Sequence, residues 1–165
     1  MSNDTLNGFS GPLAKAIEFV WREAELLDRK DYAQWSQLWS EDGIYVVPID
    51  AEGDDFAASL NYVFDDARMR ALRIERLTGG HSPSAVDAAK TVRTVSRFTL
   101  VEAAGDVVEV NSAQVLYAYK RGVATPFIAD LNHRIRFTDG QARLERKVIR
   151  LINAEDALNA LGFLL

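Results

Sequence analysis

The sequence predicts an α+β domain in which N-terminal helices pack on a strongly curved, mainly antiparallel sheet. Three observations carry that expectation. Apolar residues recur at three- and four-residue spacing early in the chain and alternate with polar ones after about residue 90. Four long alternating runs follow one another with no helix between them, which is the pattern of an antiparallel meander. Each run reaches twelve residues or more, long for a strand, so the sheet must bend or bulge to stay compact.

The elements follow in order. Residues 1–11, "MSNDTLNGFSG", read as a flexible tail, and 12–165 as a single domain. Pro12 suits a first helical turn, and Leu13, Ile17, Val20, Ala24 and Leu27 form one stripe of a helix ending near Lys30. Phe19 and Leu26 lie off that stripe, so the helix is apolar on more than one side. Asp31 begins a second, short helix with Gln34 three residues on, as in a capping box, and Tyr32, Trp35 and Trp39 share its face. "SEDG" reads as a turn and "IYVVP" as a short strand halted by Pro48. After a loop over 50–58, "SLNYVF" is a short strand, and Asp65 and Asp66 cap a third helix that ends at Gly79 and Gly80. "HSPSAVDAAK" is irregular. The runs "KTVRTVSRFTLVEA", "DVVEVNSAQVLYAYKR", "TPFIADLNHRIRFT" and "ARLERKVIRLIN" are strands, the last two joined by the hairpin signal Asp139-Gly140. The tail "DALNALGFLL" is too apolar to leave in water, so it docks on its own domain or on a neighbour.

Composition removes several functions. With 48% hydrophobic and 26% charged residues the chain is an ordinary globular one, and no apolar run approaches the roughly 18 residues of a membrane helix. The start shows no secretory signal, so a cytoplasmic location is the default expectation. A net charge of −5 argues against nucleic acid and acidic membranes as partners, since counterion release needs a cationic surface. Cysteine is absent, which excludes disulfides, cysteine-ligated clusters and cysteine nucleophiles. Only His81 and His133 remain as imidazole ligands, so a three-histidine metal site is impossible within one chain and very little is left with which to hold a metal.

The stretch "WREAELLDRKDYAQWSQLWSEDGIYVVP" with "FDDARMRALRIERLTGG", the closing strands and the apolar tail resembles the small (beta) subunit of aromatic-ring-hydroxylating dioxygenases. The resemblance rests on Arg22-Glu23-Ala24, Leu26-Leu27-Asp28, Tyr32, Trp35, Asp42, Tyr45 and Val47-Pro48, then on Asp65-Asp66 and Arg76-Leu77-Thr78-Gly79. It departs after Gly80, where His81 stands in place of the family's usual tryptophan, Pro83-Ser84 are kept and Arg93 follows late. In the third strand the arginine-rich pattern is reduced to Asp130, with Asn132 and His133 after it. The resemblance implies a nuclear transport factor 2-like, cystatin-like cone. It also implies a homotrimer supporting a large (alpha) subunit that holds a Rieske iron–sulfur cluster and a mononuclear iron. The small subunit would then be structural in aromatic-compound catabolism.

Two sets of residues deserve a functional reading. His133 alternates with Phe127, Ala129, Leu131, Ile135 and Phe137 on one strand face, so it points into the cone. There it is either a hydrogen-bonded core histidine, with Tyr45, Tyr117 or an acid as partner, or an acid–base group of a stand-alone isomerase or dehydratase. A small-ligand-binding module with the same cavity is the third reading. Arg70, Arg73 and Arg76 recur on the third helix and suit carboxylates across an interface or within the chain, and Phe163 and Leu165 of the tail suit an apolar contact.

Overall fold

A computed structural model describes residues 11–49, 52–79, 89–153 and 161–165. The helices are α1 (Pro12–Asp28), α2 (Tyr32–Gln37) and α3 (Ala67–Thr78). The strands are β1 (Trp39–Pro48), β2 (Asn61–Asp65), β3 (Lys90–Ala104), β4 (Val107–Lys120), β5 (Val123–Thr138) and β6 (Gln141–Leu151), in the sheet order β2-β1-β6-β5-β4-β3. Every neighbouring pair is antiparallel except β1 with β6. The helices and the curved sheet are those expected, and the four-strand meander is β3 to β6. His81 and the irregular stretch around it, and the tail over 1–10, lie outside the described residues.

Local chemistry accounts for the element boundaries. Pro12 occupies the first turn of α1, where its missing N–H costs nothing. Asp31 caps α2 by accepting from the Gln34 backbone N–H at 3.1 Å and its side-chain amide at 2.8 Å. Asp139 and Gly140, at φ 52° and 73°, make the tight turn between β5 and β6. Ile17, Val20, Ala24 and Leu27 of the stripe and the off-stripe Phe19 and Leu26 of α1 are buried, with Leu13 partly so, because the sheet curls around this helix. Each such apolar side chain contributes about 1.5–3 kcal/mol. A smaller apolar cluster of Val46, Phe56 and Val148 lies apart from this core, with Phe56 in a 3₁₀ turn (Phe56–Ala58).

Three expectations about the aromatic segment and the acids are corrected. Trp39 belongs not to α2 but to the start of β1, and "SEDG" is not a separate turn. It is a break in the β1–β6 ladder between Trp39 and Ile44. Gly43 explains the break, for a Cβ there would sit 2.7 Å from the Trp39 ring and 2.8 Å from the Leu144 carbonyl. Trp35, Trp39 and Tyr45 still meet edge to face, with ring centres 5.4–6.2 Å apart. Only Asp66 caps α3, by accepting from the Met69 N–H at 2.9 Å. Asp65 ends β2 with a buried side chain, because strand alternation sends adjacent acids apart.

Candidate functional site

The strongest concentration of polar chemistry inside the cone is built on Glu23. It sits on α1 three residues after Val20 and four before Leu27, so it shares their inward stripe and is 1% exposed. Its Oε1 accepts from the Lys147 ammonium at 2.8 Å and from the Trp35 indole at 3.1 Å, and its Oε2 lies 3.0 Å from His133 Nε2. Below it the sheet aligns Tyr45, Lys147 and His133 in register across β1, β6 and β5. Strand register therefore assembles in one row what the sequence separates by up to a hundred residues.

The tail completes the cluster. The Lys147 ammonium also donates to the Leu165 backbone oxygen at 3.0 Å, and the Tyr45 hydroxyl accepts from the Leu165 N–H at 3.1 Å. Arg93 on β3 donates to the Leu164 carbonyl at 3.0 Å and pairs with Asp28 at 2.9 Å, while Thr91 and the Arg93 N–H also bond Asp28. Phe163 packs edge to face on Phe127 with ring centres 5.5 Å apart.

Burial sets the protonation states. Desolvation alone would raise the Glu23 carboxyl, but the Lys147 charge and the His133 bond outweigh it and hold it well below the usual carboxylate range. Burial pushes the His133 imidazole down against the pull of Glu23, so it is neutral near pH 7. Since the ionised Glu23 can only accept, His133 Nε2 carries the hydrogen, and Nδ1 is an acceptor with no partner among the described residues. Burial also lowers Lys147 and raises the Tyr45 hydroxyl. The result is a carboxylate matched to one ammonium and one neutral imidazole, with His133 wholly enclosed. Such a set holds charge in place. It has no ionised base free to take a proton from a guest.

The other candidates are placed plainly. Tyr117 does not join His133: it is 52% exposed on the outer face of β4, because its parity is that of Val115 rather than of Leu116. Arg70 is buried, donating to the Gly43 carbonyl and lying 4.1 Å over the Trp39 ring. Arg73 donates to both carboxylate oxygens of Asp65, from Nε at 2.5 Å and from Nη2 at 3.0 Å. These two arginines thus serve within the chain, while Arg76 is exposed. Phe163 and Leu165 are buried on their own domain. Glu23, Lys147, Arg93 and Asp28 were missed, although a readable signal exists for two of them. Glu23 interrupts an apolar helix stripe, and Lys147 alternates with Ile149 and Leu151.

Residues 22–155 match the family described as the ring hydroxylating beta subunit. The chain belongs to that family. This beta subunit is 32% identical over 135 residues to the small oxygenase component of the p-cumate 2,3-dioxygenase system of Pseudomonas putida, covering 79% of this chain and 73% of that one. Its fold is that of the beta subunit of the benzoate 1,2-dioxygenase from Burkholderia mallei, with a TM-score of 0.78, 20% identity and coverage of 94% and 99%. A nuclear transport factor 2-like protein with a cystatin-like fold from Novosphingobium aromaticivorans aligns with a TM-score of 0.58, 20% identity and coverage of 82% and 79%. The beta subunit is thus a component of an aromatic-ring-hydroxylating dioxygenase, and a small component implies a large-subunit partner. No described helix of it is long and apolar enough to cross a membrane.

Proposed function

We propose that this beta subunit is structural: it trimerises and supports a cytoplasmic large subunit whose Rieske cluster and mononuclear iron perform the oxygen chemistry of aromatic-compound catabolism. The observation that carries this reading is the enclosure of His133. Where a cone-fold enzyme would need an open acid–base group, His133 is 0% exposed and bonded to Glu23, and Phe163, Leu164 and Leu165 are buried in the same core. The chain's own donors do not fit an iron centre. It has no cysteine and two histidines, and among the described residues no three His, Asp or Glu side chains converge. The relative in Pseudomonas putida, a small oxygenase component of a dioxygenase system, supports an aromatic substrate class for the assembly.

Co-expression with the cognate large subunit tests the proposal. A stable complex is expected, with ring hydroxylation that the small subunit alone does not show. His133→Gln, which retains a donor toward Glu23, should leave turnover per large subunit within about twofold. A hundredfold loss of turnover in an intact complex would reject the structural role, as would unaided turnover of a small aromatic by the isolated chain.

A further inference from the structure

The inner face of β4 carries two residues that an apolar core does not call for. Its inward positions run Val110, Ser112, Gln114, Leu116 and Ala118, and Ser112 and Gln114 are each 1% exposed. Neither Ser112 Oγ nor Gln114 Nε2 has a hydrogen-bond partner among the described residues, and His133 Nδ1 on β5 shares that condition. Strand register gathers the three. His133 pairs with Val110, Ser112 with Leu131 and Gln114 with Ala129, so Ser112 is diagonal to His133 and stands between it and Gln114. Diagonal neighbours lie about 7–8 Å apart, so a molecule between them can bond both. On its other side Ser112 adjoins the bulge of β3, where the ladder loses register between Ser96 and Thr99 and Arg97 takes φ 54°. Ser112 has no cross-strand pair there. Unbonded polar atoms are costly in a core, and three in one place point to a common partner.

The three atoms define what that partner is. His133 Nδ1 can only accept, because Nε2 carries the hydrogen toward Glu23. Gln114 Nε2 can only donate, and Ser112 Oγ can do either. A guest must therefore donate and accept at once, which excludes a metal cation, a fully ionised anion and any apolar molecule. Nor is a net charge called for, since Glu23 already matches the Lys147 ammonium. Enclosure limits its size, His133 being 0% exposed. A neutral hydroxyl meets every one of these conditions, and water is the smallest molecule that offers one. Buried waters typically make about three hydrogen bonds, and three partners stand open here.

We propose that the cone encloses a water-binding site in which His133 Nδ1, Ser112 and Gln114 share ordered water. The site fixes the neutral tautomer of His133 from the side opposite Glu23. The test uses the full chain, in crystals and in solution with nitrogen-15 histidine. Electron density should show a water within about 2.7–3.2 Å of His133 Nδ1, with Ser112 or Gln114 as a further partner. The Nδ1 signal, assigned with a His81→Gln control, should have the shift of a nitrogen that accepts a hydrogen bond. Ser112→Ala combined with Gln114→Met should move it toward that of a bare acceptor. Each of these two substitutions nearly conserves volume, so its effect on stability reads the hydrogen bond. Each should lower the urea midpoint, because it strips a partner from a buried water, whereas removing an atom that had no partner raises the midpoint. Midpoints raised or unchanged in both variants would overturn the proposal. So would a direct bond from Ser112 to His133 Nδ1, a dry Nδ1 in the density, or an organic molecule in place of the water. If the variants do not fold, the density and the Nδ1 shift of the parent chain decide the matter.

Discussion

Glu23 shows why a few buried charges matter more than many exposed ones. Arg29 and Glu25 form a bridge on the surface of α1 with side chains 70% and 56% exposed, and such pairs are worth about 0–1 kcal/mol. Removing the Glu23 charge instead strands the enclosed Lys147 ammonium, and breaking a buried pair costs about 3–5 kcal/mol. Glu23→Gln is therefore expected to lower the melting temperature by roughly 10 °C, read by calorimetry; a loss like that of Glu25→Gln would contradict the account. The same cluster sets the response to acid. The pKa values of His133 and Glu23 are both lower in the folded chain than their ordinary values of 6.5 and 4.5. Between each folded and unfolded value the unfolded chain binds more protons, so stability rises with pH and is lost on acidification. A first decline is expected below about pH 6.5 and a second below about pH 4.5. His133→Gln should remove the first and keep the second, in urea titrations across pH. A first decline that survives the substitution belongs elsewhere, His81 being the other histidine.

At the scale of elements, caps and close approaches define the helix–strand corner that positions Tyr45. Asp31 satisfies two donors of α2, and Asp31→Ala should cost about 0.5–2 kcal/mol without altering the β1–β6 pairing. Gly43 is less forgiving despite its ordinary φ. A methyl group there meets the Trp39 ring and the Leu144 carbonyl at under 3 Å, and Arg70 reaches the Gly43 carbonyl from α3. Gly43→Ala should destabilise by about 1–3 kcal/mol, as overpacking does, with near-ultraviolet dichroism of Trp35 and Trp39 altered. Unchanged tryptophan signals would mean that the corner can relax around a methyl group. The two substitutions separate chemistry that the sequence shows openly from chemistry it hides: a cap is local, whereas the contact of Gly43 with Leu144 spans a hundred residues.

For the whole molecule, the tail is the piece that joins helices, sheet and interior charges. Removing Phe163, Leu164 and Leu165 forfeits about 1.5–3 kcal/mol of burial for each and leaves Arg93 and Lys147 short of acceptors. The shortened chain should melt on the order of 10 °C lower and bind a hydrophobic dye, whereas an unchanged melting curve would mean that the tail is not part of the core. Much of this architecture is legible in the residues themselves. Period changes mark helices from strands, Pro12, Asp31, Asp66 and Gly140 mark boundaries, and the stretch from Arg22 to Pro48 carries the family pattern. His133 on the inner face of β5 was also readable, because alternation along a strand is a local property. Its partner was not, since Glu23 lies 110 residues away and only the wrapping of the sheet around α1 brings them within 3.0 Å. The same limit applies to Arg70 and Arg73, whose carbonyl and carboxylate partners come from β1 and β2, whereas Tyr117 was ambiguous locally, since the outward parity of β4 carries Val115 and Tyr119 and the inward one carries Ser112 and Gln114. Local sequence thus determined which segments would be helices and strands and which family they belong to. Long-range register, set by how one sheet closes around one helix, decided which charges meet and where the tail rests.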